Sequence, residues 1–130
     1  MEILSISIDK AALRRLEGMQ KRMKYKSRSK MLRNALLAML EEYERVESLS
    51  GKIESVFVLT YRYADKNRVS DLLHEFEGDV ETEVHHHHSG TCIDVLNINT
   101  DSAKTIDIYN TLKSNGHIYS VTYSIVSRKL

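Results

Sequence analysis

The chain opens on an isolated strand pattern. Glu2-Ile3-Leu4-Ser5-Ile6-Ser7-Ile8 alternates residue by residue, then meets helix-forming sequence, with no further strand pattern before residue 52. Alternation puts Leu4, Ile6 and Ile8 on one face and Ile3, Ser5 and Ser7 on the other. A lone strand has a row of unpaired backbone groups and an apolar face to bury. Pairing with a copy of itself about a two-fold axis answers both needs. The next forty residues support this. Asp9 is a good N-cap for a helix over residues 10–24, with a stripe of Leu13, Leu16, Met19 or Gln20, and Met23. Tyr25-Lys26 makes a turn and Ser27 is the next N-cap. A second helix over residues 28–46 carries a wide apolar face of Met31, Leu32, Ala35, Leu36, Met39, Leu40 and Tyr43. So short a segment cannot bury this much apolar surface alone. The expectation is a symmetric dimer in which a two-stranded ribbon lies above four helices. Ile3, Ser5 and Ser7 then face outward, and such a ribbon fits the DNA major groove.

Charge is distributed to match. The whole chain carries only +1, yet residues 10–33 hold ten Lys and Arg against the single acid Glu17. The rest of the chain is correspondingly acidic. A split of this kind suggests a basic module for a polyanion beside an acidic module.

The short strand, the basic helix, the turn, and Tyr25-Lys26-Ser27-Arg28-Ser29 opening an apolar helix together resemble the ribbon-helix-helix DNA-binding family. The resemblance implies that Ile3, Ser5 and Ser7 read base edges. It also implies that Arg28 and Ser29, at a helix N-terminus, clamp a backbone phosphate.

Ser48-Leu49-Ser50-Gly51 is a plausible boundary, giving modules over residues 1–47 and 52–130. The second module reads as strand 53–63, then a helix from Ala64 to about Phe76 with Val69, Leu72, Leu73 and Phe76 on one side. Next come strand 80–87, a loop Ser89-Gly90-Thr91, and strand 92–99. Helix 101–114 comes next, closed by Asn115-Gly116, and the last strand covers 118–126. This is the βαββαβ, ferredoxin-like order, and the chain as a whole is α+β.

Five of the six histidines lie between residues 74 and 88, and the one cysteine, Cys92, lies four residues beyond. On a strand His85 and His87 share one face, roughly 7 Å apart along it. Both imidazoles can meet one ion, and a thiolate from the next strand of the hairpin is a natural third ligand. His86 and His88 form an alternative pair on the opposite face, and a slip of one residue in register exchanges the pairs. Nitrogen and sulfur ligation excludes Mg²⁺ and Ca²⁺ and suits Zn²⁺, Ni²⁺ or copper, among which spacing does not choose.

With these residues in view, nearly the whole chain resembles the nickel-responsive transcriptional regulators of the NikR type, which join a ribbon-helix-helix module to an ACT-like domain. Val84-His85-His86-His87 matches the family's His-x-His strand, and Cys92-Ile93-Asp94-Val95 matches its cysteine-bearing strand. His74 stands eleven residues before His85, the spacing of the family's fourth ligand. The resemblance implies His74, His85, His87 and Cys92 as metal ligands, with His74 donated by a neighbouring subunit. It further implies one Ni²⁺ per subunit, a tetramer built as a dimer of dimers, and operator DNA as partner.

The expected function is a cytoplasmic, metal-responsive transcriptional regulator. One rival is a regulator whose ACT-like domain senses an amino acid, against which stands the turn Ala64-Asp65-Lys66-Asn67 without glycine. Another is a regulator of copper, cobalt or zinc. A metal-storage protein sits poorly with the basic first module. An enzyme is not expected, because no nucleophile-base arrangement or glycine-rich phosphate loop is present. No apolar run approaches the roughly 20 residues of a membrane span.

Overall fold

The computed structural model describes residues 1–129, and side chains through Val126. The chain divides into two compact units, Met1–Arg45 and Val46–Leu130.

The first unit holds helix α1, Lys10–Arg22, and most of helix α2, Arg28–Glu47. Asp9 accepts a hydrogen bond from the Ala12 amide at 2.7 Å, and Ser27 accepts one from the Lys30 amide at 3.1 Å. Both expected N-caps are therefore made. Helix α1 stops two residues earlier than the periodicity predicts, because Lys24 takes a left-handed backbone (φ 60°). Residues 1–9 lie in neither helix nor sheet. The strand expected over residues 2–8 does not form within one chain, for a ladder needs a second strand and the unit contains none.

The second unit is a four-stranded antiparallel sheet, order β2-β3-β1-β4. Its strands are β1 (Lys52–Arg62), β2 (Val80–His88), β3 (Thr91–Asp101) and β4 (Ile118–Lys129). Helix α3 (Lys66–His74) joins β1 to β2, and helix α4 (Ser102–Ser114) joins β3 to β4. This is the expected ferredoxin-like arrangement. Burial alternates strictly along β1 and β3. Ile53, Phe57, Leu59, Tyr61, Leu96 and Ile98 form the core with Val69 and Leu73 of α3 and Ile108, Tyr109 and Leu112 of α4. Val46 and Leu49 join the same core, so the last turn of α2 belongs to the second unit.

Three local expectations are corrected. A 3₁₀ turn, Tyr63–Asp65, precedes α3, which starts later and ends earlier than the apolar pattern suggests. Here Arg62 and Arg68 each lie 3.2 Å from the nearly buried Asp65 carboxylate, and these charged bonds hold the turn. Helix α4 ends at Asn115 in extended conformation (ψ 123°), so Gly116 does not serve as a left-handed cap. The β2–β3 loop has two residues, Ser89 and Gly90, with Thr91 inside the ladder.

Among the described residues the fully buried Ser55 hydroxyl makes no hydrogen bond. A buried unpaired hydroxyl costs free energy that a methyl group does not. Ser55→Ala should therefore stabilise the second unit by about 1 kcal/mol, read as a rise in the urea midpoint with unchanged slope.

Candidate metal centre and nucleic-acid surface

The Ser89–Gly90 turn sets the geometry of the metal candidates. Both residues have positive φ, 50° and 80°. That is the type I′ turn, whose twist matches a two-residue hairpin. It opposes His88 to Thr91, His87 to Cys92, His86 to Ile93 and His85 to Asp94. Directly opposed residues point to the same face. His85 and His87 therefore share the helix-covered face with Cys92 and Asp94, while His86 and His88 stand on the other. A three-residue loop would have opposed His88 to Cys92 and reversed this outcome. The Tyr63 amide donates to the Gly90 carbonyl at 2.9 Å and ties the turn to the end of β1.

His85 Nδ1 lies 2.5 Å from Asp94 Oδ1. The Asp94 side chain is 2% exposed, whereas His85 keeps 32% of its side-chain surface open. The Tyr61 hydroxyl donates to the other Asp94 oxygen at 2.7 Å. Burial, and then donation to Asp94, push the Tyr61 phenol far above its ordinary value, so it stays a neutral donor. With the carboxylate accepting from Nδ1–H, the lone pair of His85 lies on Nε2, free to hold a cation. The His87 ring stacks on Tyr63 with centroids 4.4 Å apart. Cys92 is completely buried. Burial first, and the charge of Asp94 second, push its thiol above the ordinary value, while Lys66 and Tyr61 pull the other way.

Two imidazoles and a thiol on one face fit a borderline cation such as Ni²⁺, Zn²⁺ or Cu²⁺. When bound, such an ion would be held by His85 Nε2, His87 and Cys92 Sγ. His74 does not join them within the chain. It ends α3, its side chain is 79% exposed, and Nδ1 lies 3.5 Å from Glu77. It lines a groove of about 280 Å³ with Ser70, Leu73, Glu77 and the first residues of β2. Among the described residues no group of three or more His, Cys, Asp or Glu is arranged to hold a metal. The three donors share a face, but the chain alone does not close a coordination sphere.

Asp94, Tyr61 and Tyr63 escaped the sequence reading of the site. The signal for Asp94 was available, since an acid two residues after Cys92 inside a strand must share its face. The tyrosines carried none, because their contacts depend on pairing with distant strands.

In the first unit, Ile3, Ser5 and Ser7 are exposed, as are Arg28 and Ser29 at the start of α2. The first turns of α1 and α2 contain no acid. The Gln20 side chain donates to the Tyr25 carbonyl and Asn34 donates to the Tyr25 hydroxyl, holding the turn that presents Arg28. Leu4, Ile6 and Ile8 are exposed, as are Leu36, Leu37, Met39 and Leu40. Apolar surface of this extent marks an interface.

Comparison with known proteins bears on the first segment and, more distantly, on the chain as a whole. Residues 2–43 match the family described as ribbon-helix-helix protein, copG family. The match is confined to that segment. A protein of Methanocella arvoryzae named "Putative nickel-responsive regulator" is 23% identical over 128 residues, which cover 93% of this chain and 91% of that protein. An uncharacterized protein from Thermotoga maritima has a solved structure that aligns with a TM-score of 0.53 and 19% identity, over 58% of this chain and 99% of that one. That likeness is one of fold alone. The first two matches support the resemblance to NikR-type regulators drawn from the motifs.

The Asp94–His85 pair and the raised thiol lead to two expected outcomes. Asp94→Asn should keep the fold but weaken binding of Ni²⁺ by about 10- to 100-fold, as loss of a carboxylate behind a histidine ligand does elsewhere. The Cys92 thiol is protonated at neutral pH, so uptake must displace its proton. The apparent affinity should therefore fall by about tenfold per pH unit for each proton displaced, as pH drops below the thiol value. Calorimetry in buffers of different ionisation enthalpy counts the protons. An affinity independent of pH would remove Cys92 from the site.

Proposed function

We propose that the chain is a cytoplasmic, nickel-responsive regulator of transcription. The ribbon-helix-helix domain binds operator DNA, and metal held by the ferredoxin-like unit controls that binding. The observation that carries this reading is the shared face of His85, His87 and Cys92, in a chain whose residues 2–43 match the ribbon-helix-helix, copG family. The name of the Methanocella relative supports nickel as the ion, and we assign one Ni²⁺ to each subunit.

In this reading two chains pair through residues 2–8, bury Leu4, Ile6 and Ile8 against four helices, and present Ile3, Ser5 and Ser7 to the major groove. Arg28 and Ser29 hold a phosphate at the helix N-terminus. Two such dimers assemble through their ACT-like units into a tetramer. His74 of a neighbouring subunit completes the coordination left open by His85, His87 and Cys92. An ion bridging subunits binds one quaternary arrangement better than others, and so biases the spacing of the two DNA-binding ribbons.

Two experiments test the proposal. DNA fragments selected by the Ni²⁺-loaded full chain should be bound more weakly after chelation of the metal. Binding should also fall steeply with salt. Arg28→Ala should weaken all sequences alike and lower the salt slope by about one, whereas Ser5→Ala should change sequence preference. Fluorescence anisotropy that shows no dependence on Ni²⁺ would sink the regulatory reading. Bridging is tested by mixing. His74→Ala and Cys92→Ala chains each lack complete sites, but hybrid oligomers should regain some of the thiolate-to-Ni²⁺ charge-transfer absorption. Mixtures that regain none would place all ligands in one chain.

A further inference from the structure

Four consecutive histidines on one strand cannot all serve one face. The register that gives His85 and His87 to Cys92 sends His86 and His88 to the uncovered side of the sheet. Both lie on β2, which is the edge strand, and every residue from Glu81 to His88 is exposed. The inner pair is engaged, His85 by Asp94 and His87 by the Tyr63 ring. The side chains of His86 and His88 make no hydrogen bond, ion pair or ring contact with the described residues. Their imidazole nitrogens are left to solvent.

We propose that His86 and His88 form a second, outer metal site, separate from the one on the helix-covered face. Residues i and i+2 on a strand stand roughly 7 Å apart, and their imidazoles can converge to chelate one ion. Opposite them are Ile93 and Thr91, which supply no charged ligand. The nearest cation on that face is Arg62, two strands away, and its guanidinium is turned to Asp65 at 3.2 Å. It does not compete for the histidines. Two neutral nitrogens with water in the remaining positions suit a borderline divalent first-row cation. Such a pair prefers Cu²⁺ over Ni²⁺ and Zn²⁺ by the usual order of stability. The site is open to solvent and lacks a thiolate, so it binds more weakly than the inner one and exchanges with solution.

This inference does not rest on the regulatory reading, and the test keeps the two apart. The full chain and its His86→Ala/His88→Ala variant are dialysed against graded Cu²⁺ and Ni²⁺, and bound metal is counted. The unsubstituted chain should take up one equivalent per chain more than the variant. The lost equivalent should be the weaker one, and its Cu²⁺ resonance should show nitrogen ligands without thiolate absorption. Each single replacement should weaken that equivalent by about tenfold or more, because the second imidazole acts as an intramolecular ligand of high effective concentration. Equal uptake by the two proteins overturns the outer site. So does a single replacement that leaves the affinity unchanged, because it reveals separate one-histidine binding. Loss of thiolate absorption from both proteins would count against the inner site alone, since the outer one is read from the difference in uptake.

Discussion

The antiparallel pairing of β2 with β3 around the two-residue Ser89–Gly90 turn is the constraint on which the placement of the candidate ligands depends. Hydrogen bonding of the ladder lets residues meet only in fixed pairs. A turn with positive φ at both positions closes the hairpin without splaying the strands. Every histidine on β2 inherits its face and its opposite number from that closure. His87 meets Cys92 and His85 meets Asp94 because no residue intervenes between His88 and Thr91 beyond the turn itself. The bond from the Tyr63 amide to Gly90 and the pairing of Arg62 with Thr91 extend the register to β1. Tyr61 and Tyr63 are placed beside the candidate ligands by the same extension.

Within that register Asp94 has two roles. Burying a carboxylate is costly, and the bonds from Tyr61 and His85 offset the cost. The bond to His85 also orients the ring and frees Nε2. Together with burial, the same negative charge keeps the neighbouring thiol protonated. The ladder thus puts an oriented histidine on the same face as an uncharged sulfur. A cation that enters must displace a proton, which ties affinity to pH and disfavours ions that do not form strong bonds to sulfur.

The two units solve the burial problem differently. The ferredoxin-like unit covers one sheet face with α3 and α4 and has a continuous core of its own. The first unit leaves Leu4, Ile6, Ile8 and much of the apolar face of α2 exposed, and its residues 1–9 form no ladder. One unit buries its apolar face within the single chain, whereas the other leaves Leu4, Ile6 and Ile8 exposed. The groove beside His74, lined by α3 and the start of β2, belongs to the second unit and carries a candidate ligand that forms no group with the other three.

Local periodicity by itself determined a good deal. Residues 2–8 alternate, α1 and α2 carry apolar stripes behind Asp9 and Ser27, and the βαββαβ order comes from switches between periods of two and 3.6. The same alternation requires that His85 and His87 share a face, whatever the fold. Parity does not say which pair of histidines meets Cys92, because that depends on loop length, and a difference of one residue exchanges the faces. The local pattern predicts three loop residues; the fold uses two, since Ser89 accepts a left-handed backbone ahead of Gly90. Nor could local pattern reveal Tyr61 beside Asp94 or Tyr63 on His87, residues more than twenty positions apart. Their contacts exist only once β1 has paired with β3. Side-chain direction is a property of the strand and was legible, whereas the identity of the neighbour is a property of the ladder and was decided by the tertiary structure.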